Sequence, residues 1–130
     1  SARSEILHTC QQFEHKLLAD AACYSDDYLL TLYASVRQSV AAHKLVQDKD
    51  GNLLFLSKEC NSDGCIATVD VTYPSMPMYL LYNPELVKGM ILPIFKFARM
   101  AVWNKPFAPH DVGIYPYCLG QSKTAASVAI

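Results

Sequence analysis

The segment from residue 83 to residue 103 constrains the fold most, because it predicts a helix that needs two packing partners. It opens on Asn83-Pro84-Glu85, where a capping residue, a proline at the first helical position and an acid in the first turn favour a helix start. Apolar residues at helical spacing then form two stripes, namely Leu86, Met90, Ile94, Phe97 and Ala101, and Val87, Ile91, Ala98 and Val102. A helix that is apolar on two sides packs on two sides.

The composition strengthens this requirement for partners. The 130 residues are 52% hydrophobic and 18% charged, which is apolar for a small domain with a large surface to cover. We therefore expect the chain to be part of a larger protein or to associate with itself. The net charge of −1 favours neither nucleic acid nor an anionic membrane as a partner. No apolar run reaches the roughly 18 residues expected of a membrane span.

The amino-terminal part predicts a helical hairpin over about residues 5–43. Apolar residues recur at steps of three and four before Asp20. Ser25-Asp26-Asp27 then supplies capping and acidic residues for a second helix, which runs to about His43. The pair Asp50-Gly51 lies between two apolar runs and predicts a β-hairpin over about residues 45–56. Such a ribbon is not stable alone, so we expect it to pack on the helices.

Two irregular segments carry the candidate functional residues. The first covers residues 57–71, and the second, residues 104–121, follows predicted helices over about residues 72–103. Loops that rigid helices hold in place commonly carry binding and catalytic residues. Carboxylates near aromatic side chains suit a pocket for a polyol or an amino acid. The candidates in the two segments are Glu59, Asp63, Asp70, His110 and Asp111.

Each candidate also has a structural interpretation, which the sequence leaves open. Asp70 could be the N-cap of the next helix, Glu59 a solvated turn residue, and His110-Asp111 a pair that orients its loop. The sequence contains no nucleophile-elbow, zinc-protease, P-loop or dinucleotide-binding motif. Its five cysteines cannot all pair internally, and we interpret them as buried free thiols in preference to a zinc site; they are Cys10, Cys23, Cys60, Cys65 and Cys118.

Several long motifs resemble one known family. The stretches TVDVTYPS, LYNPEL followed by KGM, and FAPHDVG followed by YP resemble the glutaminase A-type family of fungi and Bacteroidetes, as does the upstream QSVAAHKLVQDKDGNLLFLSKE. The resemblance covers roughly residues 10–121. It implies that the chain is a segment of a larger protein, secreted or periplasmic, that hydrolyses glutamine. It also implies a mainly α fold, part of an (α/α)6 toroid of the six-hairpin glycosidase-like class, with a short β-hairpin.

A more distant similarity concerns the chemistry. Retaining β-glucosidases of the non-lysosomal glucosylceramidase type have a nucleophilic Glu, an Asp eleven residues later in a Y-D-V-x-x-Y context, and then a P-H-D-[IL]-G motif. In this sequence Glu59 precedes Asp70 by eleven residues, and residues 109–113 read PHDVG. The similarity implies that Glu59 is the nucleophile, and that Asp70, His110 and Asp111 bind substrate on the same concave surface. A nucleophilic carboxylate stays ionised, so we expect a hydrogen-bond donor or a cation beside Glu59.

Two kinds of hydrolysis and one inert alternative stay open at this point. Amide hydrolysis needs an attacking group, an oxyanion stabiliser and an acid for the leaving ammonia. Glycoside hydrolysis needs a second carboxylate, which matches nothing in this sequence. The expected partners are a small-molecule substrate, glutamine or a sugar, and either the rest of the parent chain or a second copy. No metal ion and no cofactor are expected. The inert alternative is a scaffold or carbohydrate-binding segment.

Overall fold

The computed structural model describes residues 2–121. The chain is mainly helical with one antiparallel two-stranded sheet, which confirms the expected class and the short β-hairpin. The elements are helix α1 (Ala2–Asp20), helix α2 (Asp26–Ala41), strand β1 (His43–Gln47), strand β2 (Leu53–Ser57), helix α3 (Val69–Tyr82) and helix α4 (Pro84–Ala98). None of the described helices is long and apolar enough to cross a membrane.

The chain divides into two compact units, residues 1–38 and residues 39–130. The first unit, which contains α1 and the greater part of α2, buries few side chains, and those buried are Leu17, Ala21 and Val36. Many of its large apolar side chains are exposed instead, such as Ile6 and Leu30. The second unit contains the β-hairpin, α3, α4 and both irregular segments.

The core of the second unit forms where the β-hairpin packs on α3 and α4. Phe55, Tyr79, Val87 and Met90 make one buried cluster, and burying a side chain of this size contributes about 1.5–3 kcal/mol. Gly89 allows the close approach of α4 to β2, because a Cβ atom at this position would lie 2.9 Å from the backbone nitrogen of Phe55. The ribbon therefore packs on helices, as its size requires.

A second buried cluster links the two irregular segments. Ile66, Ala67, Phe97 and Val112 form it. The Ala67 N–H donates to the Ser57 carbonyl at 2.8 Å, which ties this stretch to the end of β2. On its other side, the Val112 N–H donates to the Ile66 carbonyl at 3.0 Å. Residues 64–67 thus lie between the end of β2 and the 110–115 loop, and they hold the two candidate loops together.

Helix α4 is shorter than its sequence pattern predicts. It ends at Ala98 with Arg99 as the C-cap, so the predicted stripe residues Ala101 and Val102 lie beyond the helix. The backbone N–H of Arg99 donates to the carbonyls of Lys96 and Phe97, which closes the last turn. The face that stays open borders a groove of about 430 Å³, lined by Asn52, Leu53, Glu85, Lys88, Ile91, Leu92 and Phe95. Phe95, which belongs to neither predicted stripe, and Leu53 are the two large apolar side chains most exposed at this groove.

Candidate functional site

The imidazole ring of His110 lies between two carboxylates. Its Nδ1 is 3.1 Å from Oδ2 of Asp111, and its Nε2 is 3.4 Å from Oδ1 of Asp70. Asp70 lies in the first turn of α3 and His110 lies in a loop, 40 residues apart in sequence. The structure thus brings three of the four predicted site residues into one cluster.

Asp111 is the buried end of this cluster. Its side chain has no exposed surface, and its second oxygen, Oδ1, accepts the backbone N–H of Gly113 at 2.8 Å. Both carboxylate oxygens therefore have partners, as a buried charge requires. Gly113 has φ of 111°, and a Cβ atom there would lie 2.7 Å from the backbone nitrogen of Leu119. Only glycine fits this turn.

The backbone of His110 is held on both sides. Its N–H donates to Oε1 of Gln121 at 2.8 Å, and its carbonyl accepts the N–H of Val69 at 2.9 Å. Val69 is the first residue of α3, so this second bond ties the 110–115 loop to the start of that helix. The position of the ring is thus fixed by the backbone as well as by Asp111.

Asp70 lies in the first turn of α3 and is not its N-cap. The cap position belongs to Thr68, whose hydroxyl is fully buried and has no hydrogen-bond partner within residues 2–121. Asp70 instead accepts the N–H of Val71 at 3.0 Å through Oδ1. A carboxylate in the first turn also interacts favourably with the helix dipole. Its side chain is 63% exposed, so the cluster opens to solvent on this side.

The contacts of His110 define the state of its ring. An ionised Asp111 only accepts hydrogen bonds, so Nδ1 carries a proton and donates it to Oδ2. Nε2 is the nitrogen on the open side, since the His110 side chain is 40% exposed and Asp111 is not exposed at all. The Asp70 carboxylate lies on this open side, with Oδ1 3.4 Å from Nε2. The cluster can therefore bind a polar ligand and exchange a proton with it.

Glu59 belongs to a different turn from the other three predicted site residues. It follows β2, its N–H donates to the Cys65 carbonyl at 2.9 Å, and its half-buried carboxylate accepts the hydroxyl of Ser62 in the same turn. Ser62 thus supplies the donor expected beside Glu59. No hydrogen bond or ion pair joins Glu59 to Asp70, His110 or Asp111 in the part of the chain that is described.

Sequence reasoning missed two residues that build the site, Gln121 and Gly113. The spacing Asp111-x-Gly113 is a signal that could have found the second, because an Asp side chain commonly bonds the backbone two residues further on. Asp63 makes the same kind of bond, to the N–H of Cys65 at 3.1 Å. Gln121 carries no comparable local signal, since it acts on a residue eleven positions away.

The cysteines differ from their predicted state. Cys65 is buried and Cys118 is partly buried, whereas Cys10, Cys23 and Cys60 are exposed. The prediction of buried thiols is therefore wrong for these three. Burial raises the pKa of the Cys118 thiol, which keeps it protonated at neutral pH. Among the described residues, no group of three or more His, Cys, Asp or Glu side chains is placed to hold a metal ion.

Comparison with known proteins identifies the class of domain and then the family. The sequence pattern described as the Glutaminase A six helical-hairpin domain matches residues 25–129. The chain therefore belongs to the glutaminase A six-hairpin family, as its motifs predict.

Two curated relatives agree with this assignment. A protein from Aspergillus oryzae named Glutaminase A is 37% identical over 105 residues, and one from Arthroderma benhamiae named as a probable glutaminase is 30% identical over 105 residues. Each match covers 80% of this chain but only 15% and 12%, respectively, of those proteins. No solved structure matches the chain.

Proposed function

We propose that this chain contributes part of the active-site rim of a glutaminase A-type hydrolase, which releases ammonia from glutamine. Membership of the family and the names of both relatives support this proposal. In the proposed protein the chain is one part of an (α/α)6 toroid, and the whole protein is secreted or periplasmic. The observation that carries the proposal is the cluster of Asp70, His110 and Asp111 where the two loops meet.

The open side of this cluster suits the polar groups of glutamine. The Asp70 carboxylate accepts hydrogen bonds from an ammonium or amide N–H, and Nε2 of His110 faces the same side. Asp111 is fully buried, so it acts on the substrate through His110. In this proposal Asp70 and His110 bind the substrate directly, and Asp111 supports them.

Glu59 is the proposed catalytic carboxylate. The Ser62 hydroxyl donates a hydrogen bond to it, which satisfies one acceptor of this half-buried carboxylate. Its turn is held next to the His110 loop through residues 64–67, because the Cys65 carbonyl accepts the Glu59 N–H and Cys65 pairs with Ile114. The backbone thus connects Glu59 to the cluster, although no hydrogen bond or ion pair joins their side chains within the described residues.

The test is turnover of glutamine by the full-length protein that contains these residues. We expect Glu59→Gln to lower kcat for ammonia release by at least about 100-fold, which is the usual scale for the loss of one catalytic group. Glu85→Gln is the matched control, since Glu85 is an exposed acid paired only with Lys88 in the next turn of α4. Folding of both variants should match the wild type by circular dichroism.

Two outcomes contradict the proposal in different ways. Near-normal turnover by Glu59→Gln removes Glu59 from the mechanism and leaves the glutaminase assignment standing. If the wild-type protein hydrolyses an aryl glycoside and releases no ammonia from glutamine, the protein is a glycoside hydrolase of the six-hairpin class.

A further inference from the structure

We propose that His110 is the proton carrier of this site and that the buried Asp111 is the residue that positions it. This inference rests on the proposed function and assigns to His110 a chemical role beyond substrate binding. It follows from the different surroundings of the two ring nitrogens: Nδ1 faces a buried carboxylate, and Nε2 faces the open side.

The surroundings of Asp111 are those of a group that orients a histidine. Its Oδ1 is occupied by the Gly113 N–H at 2.8 Å, which leaves Oδ2 as the acceptor for Nδ1–H at 3.1 Å. Because the carboxylate cannot donate, it selects the ring state in which Nδ1 is protonated. Nε2 is then the atom that gains and loses a proton. A buried carboxylate that fixes the tautomer of a catalytic histidine acts in the same way in hydrolytic triads.

The shape of the loop does not depend on the imidazole ring. Backbone bonds hold it, among them Ile66 N–H to the Gly113 carbonyl at 2.8 Å and Gly120 N–H to the Val112 carbonyl at 2.9 Å. Asp63 builds a comparable turn with the Cys65 N–H and has no histidine beside it in the sequence. A purely structural Asp111 would therefore need only its bond to Gly113, and the contact with His110 is additional.

The proposed step balances without any further reactant than water. Nε2 takes one proton from a water molecule as the water oxygen bonds to the acyl carbon of the glutamine side-chain amide. The same proton then moves from Nε2 to the amide nitrogen as the C–N bond breaks, and the nitrogen leaves as ammonia. The products are glutamate and ammonia, and His110 ends in the state in which it began. Proton transfer of this kind contributes roughly 10²- to 10⁴-fold to a rate.

The test separates proton transfer from binding through two variants of the full-length protein. His110→Gln keeps hydrogen-bonding capacity at the open side but cannot carry a proton. We expect it to lower kcat by roughly 10²-fold or more with little change in KM, and to remove the limb of the pH–rate profile that reports the imidazole. Asp111→Asn should lower kcat in the same direction, and Glu85→Gln, which alters an exposed acid of α4 outside the site, should not.

A spectroscopic measurement covers the case in which an Asp111 variant folds poorly in the enzyme. Long-range ¹H–¹⁵N spectra of this 130-residue chain report which ring nitrogen of His110 carries the proton. We expect Nδ1–H in the wild type and a shift of the proton to Nε2 in Asp111→Asn, because an amide N–H in place of the carboxylate oxygen donates to Nδ1.

The outcomes distinguish this inference from the proposed function. A wild-type protein without ammonia release overturns both. Normal kcat with raised KM in His110→Gln, in a wild type that does hydrolyse glutamine, overturns the inference alone and leaves His110 as a binding residue. An unchanged ring tautomer in Asp111→Asn overturns the positioning role of Asp111.

Discussion

Two clusters in the second unit have the same pattern, in which a basic group lies between two carboxylates, and they differ in what the basic group can do. Lys96 of α4 contacts Asp48 and Asp50 in the turn of the β-hairpin, whereas His110 contacts Asp111 and Asp70. In the first cluster the carboxylates raise the pKa of Lys96, and Lys96 holds the pKa of Asp48 well below its usual range. Neither Lys96 nor Asp48 therefore changes its protonation state near neutral pH.

The same charge pattern links structural elements around Lys96, and in our proposal it carries chemistry around His110. Asp48 also accepts the N–H groups of Asp50 and Asn52, so Lys96 joins α4 to a turn that is already closed. An ammonium group is a point charge that stays protonated, which suits a permanent link. An imidazole has two nitrogens and titrates near neutral pH, which suits proton exchange. In this proposal the identity of the basic residue decides the role of each cluster.

The largest expected effect is a loss of stability when the glycine of each cluster's turn, Gly113 or Gly51, is replaced. Gly113→Ala and Gly51→Ala both place a side chain at positive φ, 111° and 84°, which costs of order 1–3 kcal/mol. At Gly113 the Cβ atom would also meet backbone atoms of Leu119 and Gly120 at 2.7 and 2.8 Å, whereas at Gly51 its nearest contact is 3.9 Å away. We expect Gly113→Ala to destabilise the chain more in urea denaturation, and to abolish the Asp111–His110 contact in NMR spectra. Equal losses from both variants would show that the Gly113 turn relaxes.

A smaller loss of stability is expected when the ion pair between Lys96 and Asp48 is removed. Lys96→Met should lower the midpoint of thermal unfolding, because it leaves the Asp48 carboxylate, only 13% exposed, without its cation. Lys88→Met is the matched control on the same helix, since Lys88 is 72% exposed and pairs with an equally open Glu85. We expect its unfolding midpoint to stay close to that of the wild type.

The pH dependence of that loss has a definite sign. The pKa of Asp48 is lowered in the folded chain, so its contribution to stability is present above the unfolded value of about 4 and declines as the pH falls below it. The pKa of Lys96 is raised, so its contribution is present below about 10.4 and declines above it. The difference in unfolding midpoint between Lys96→Met and the wild type should be largest between these two pH values. A gap that widens on acidification would contradict the assignment.

Local features of the sequence predicted much of the fold and little of the side-chain geometry. The Asn83-Pro84-Glu85 signal and the Asp50-Gly51 turn predicted the start of α4 and the β-hairpin, because both depend on neighbouring residues alone. The end of α4 and the start of α3 were misplaced by five and three residues, since apolar spacing continues past Ala98 and Thr68 makes no side-chain cap bond.

The site was predictable through motifs and not through spacing. The family resemblance selected Asp70, His110 and Asp111, which the structure brings together, but it did not indicate that Glu59 bonds Ser62 or that Asp111 is buried. The sequence pattern did not predict the contact between Lys96 and Asp48, which lie 48 residues apart. Each cluster contains a contact between residues far apart in the sequence, Lys96 with Asp48 and His110 with Asp70, which depends on tertiary packing.

The smallest expected effect distinguishes the two carboxylates that flank Lys96. Asp50 is 57% exposed and lies 3.0 Å from Nζ, whereas Asp48 is mostly buried and also closes the turn. Asp50→Asn should therefore change the unfolding midpoint only slightly, and the change should vanish in concentrated salt, because exposed pairs are screened. Asp48→Asn, the matched variant, should lower the unfolding midpoint more at every salt concentration, because salt does not screen the hydrogen bonds between the Asp48 side chain and the turn. If Asp50→Asn costs as much as Asp48→Asn in concentrated salt, the two carboxylates share Lys96 equally, and the exposed acid is as much a part of the link as the buried one.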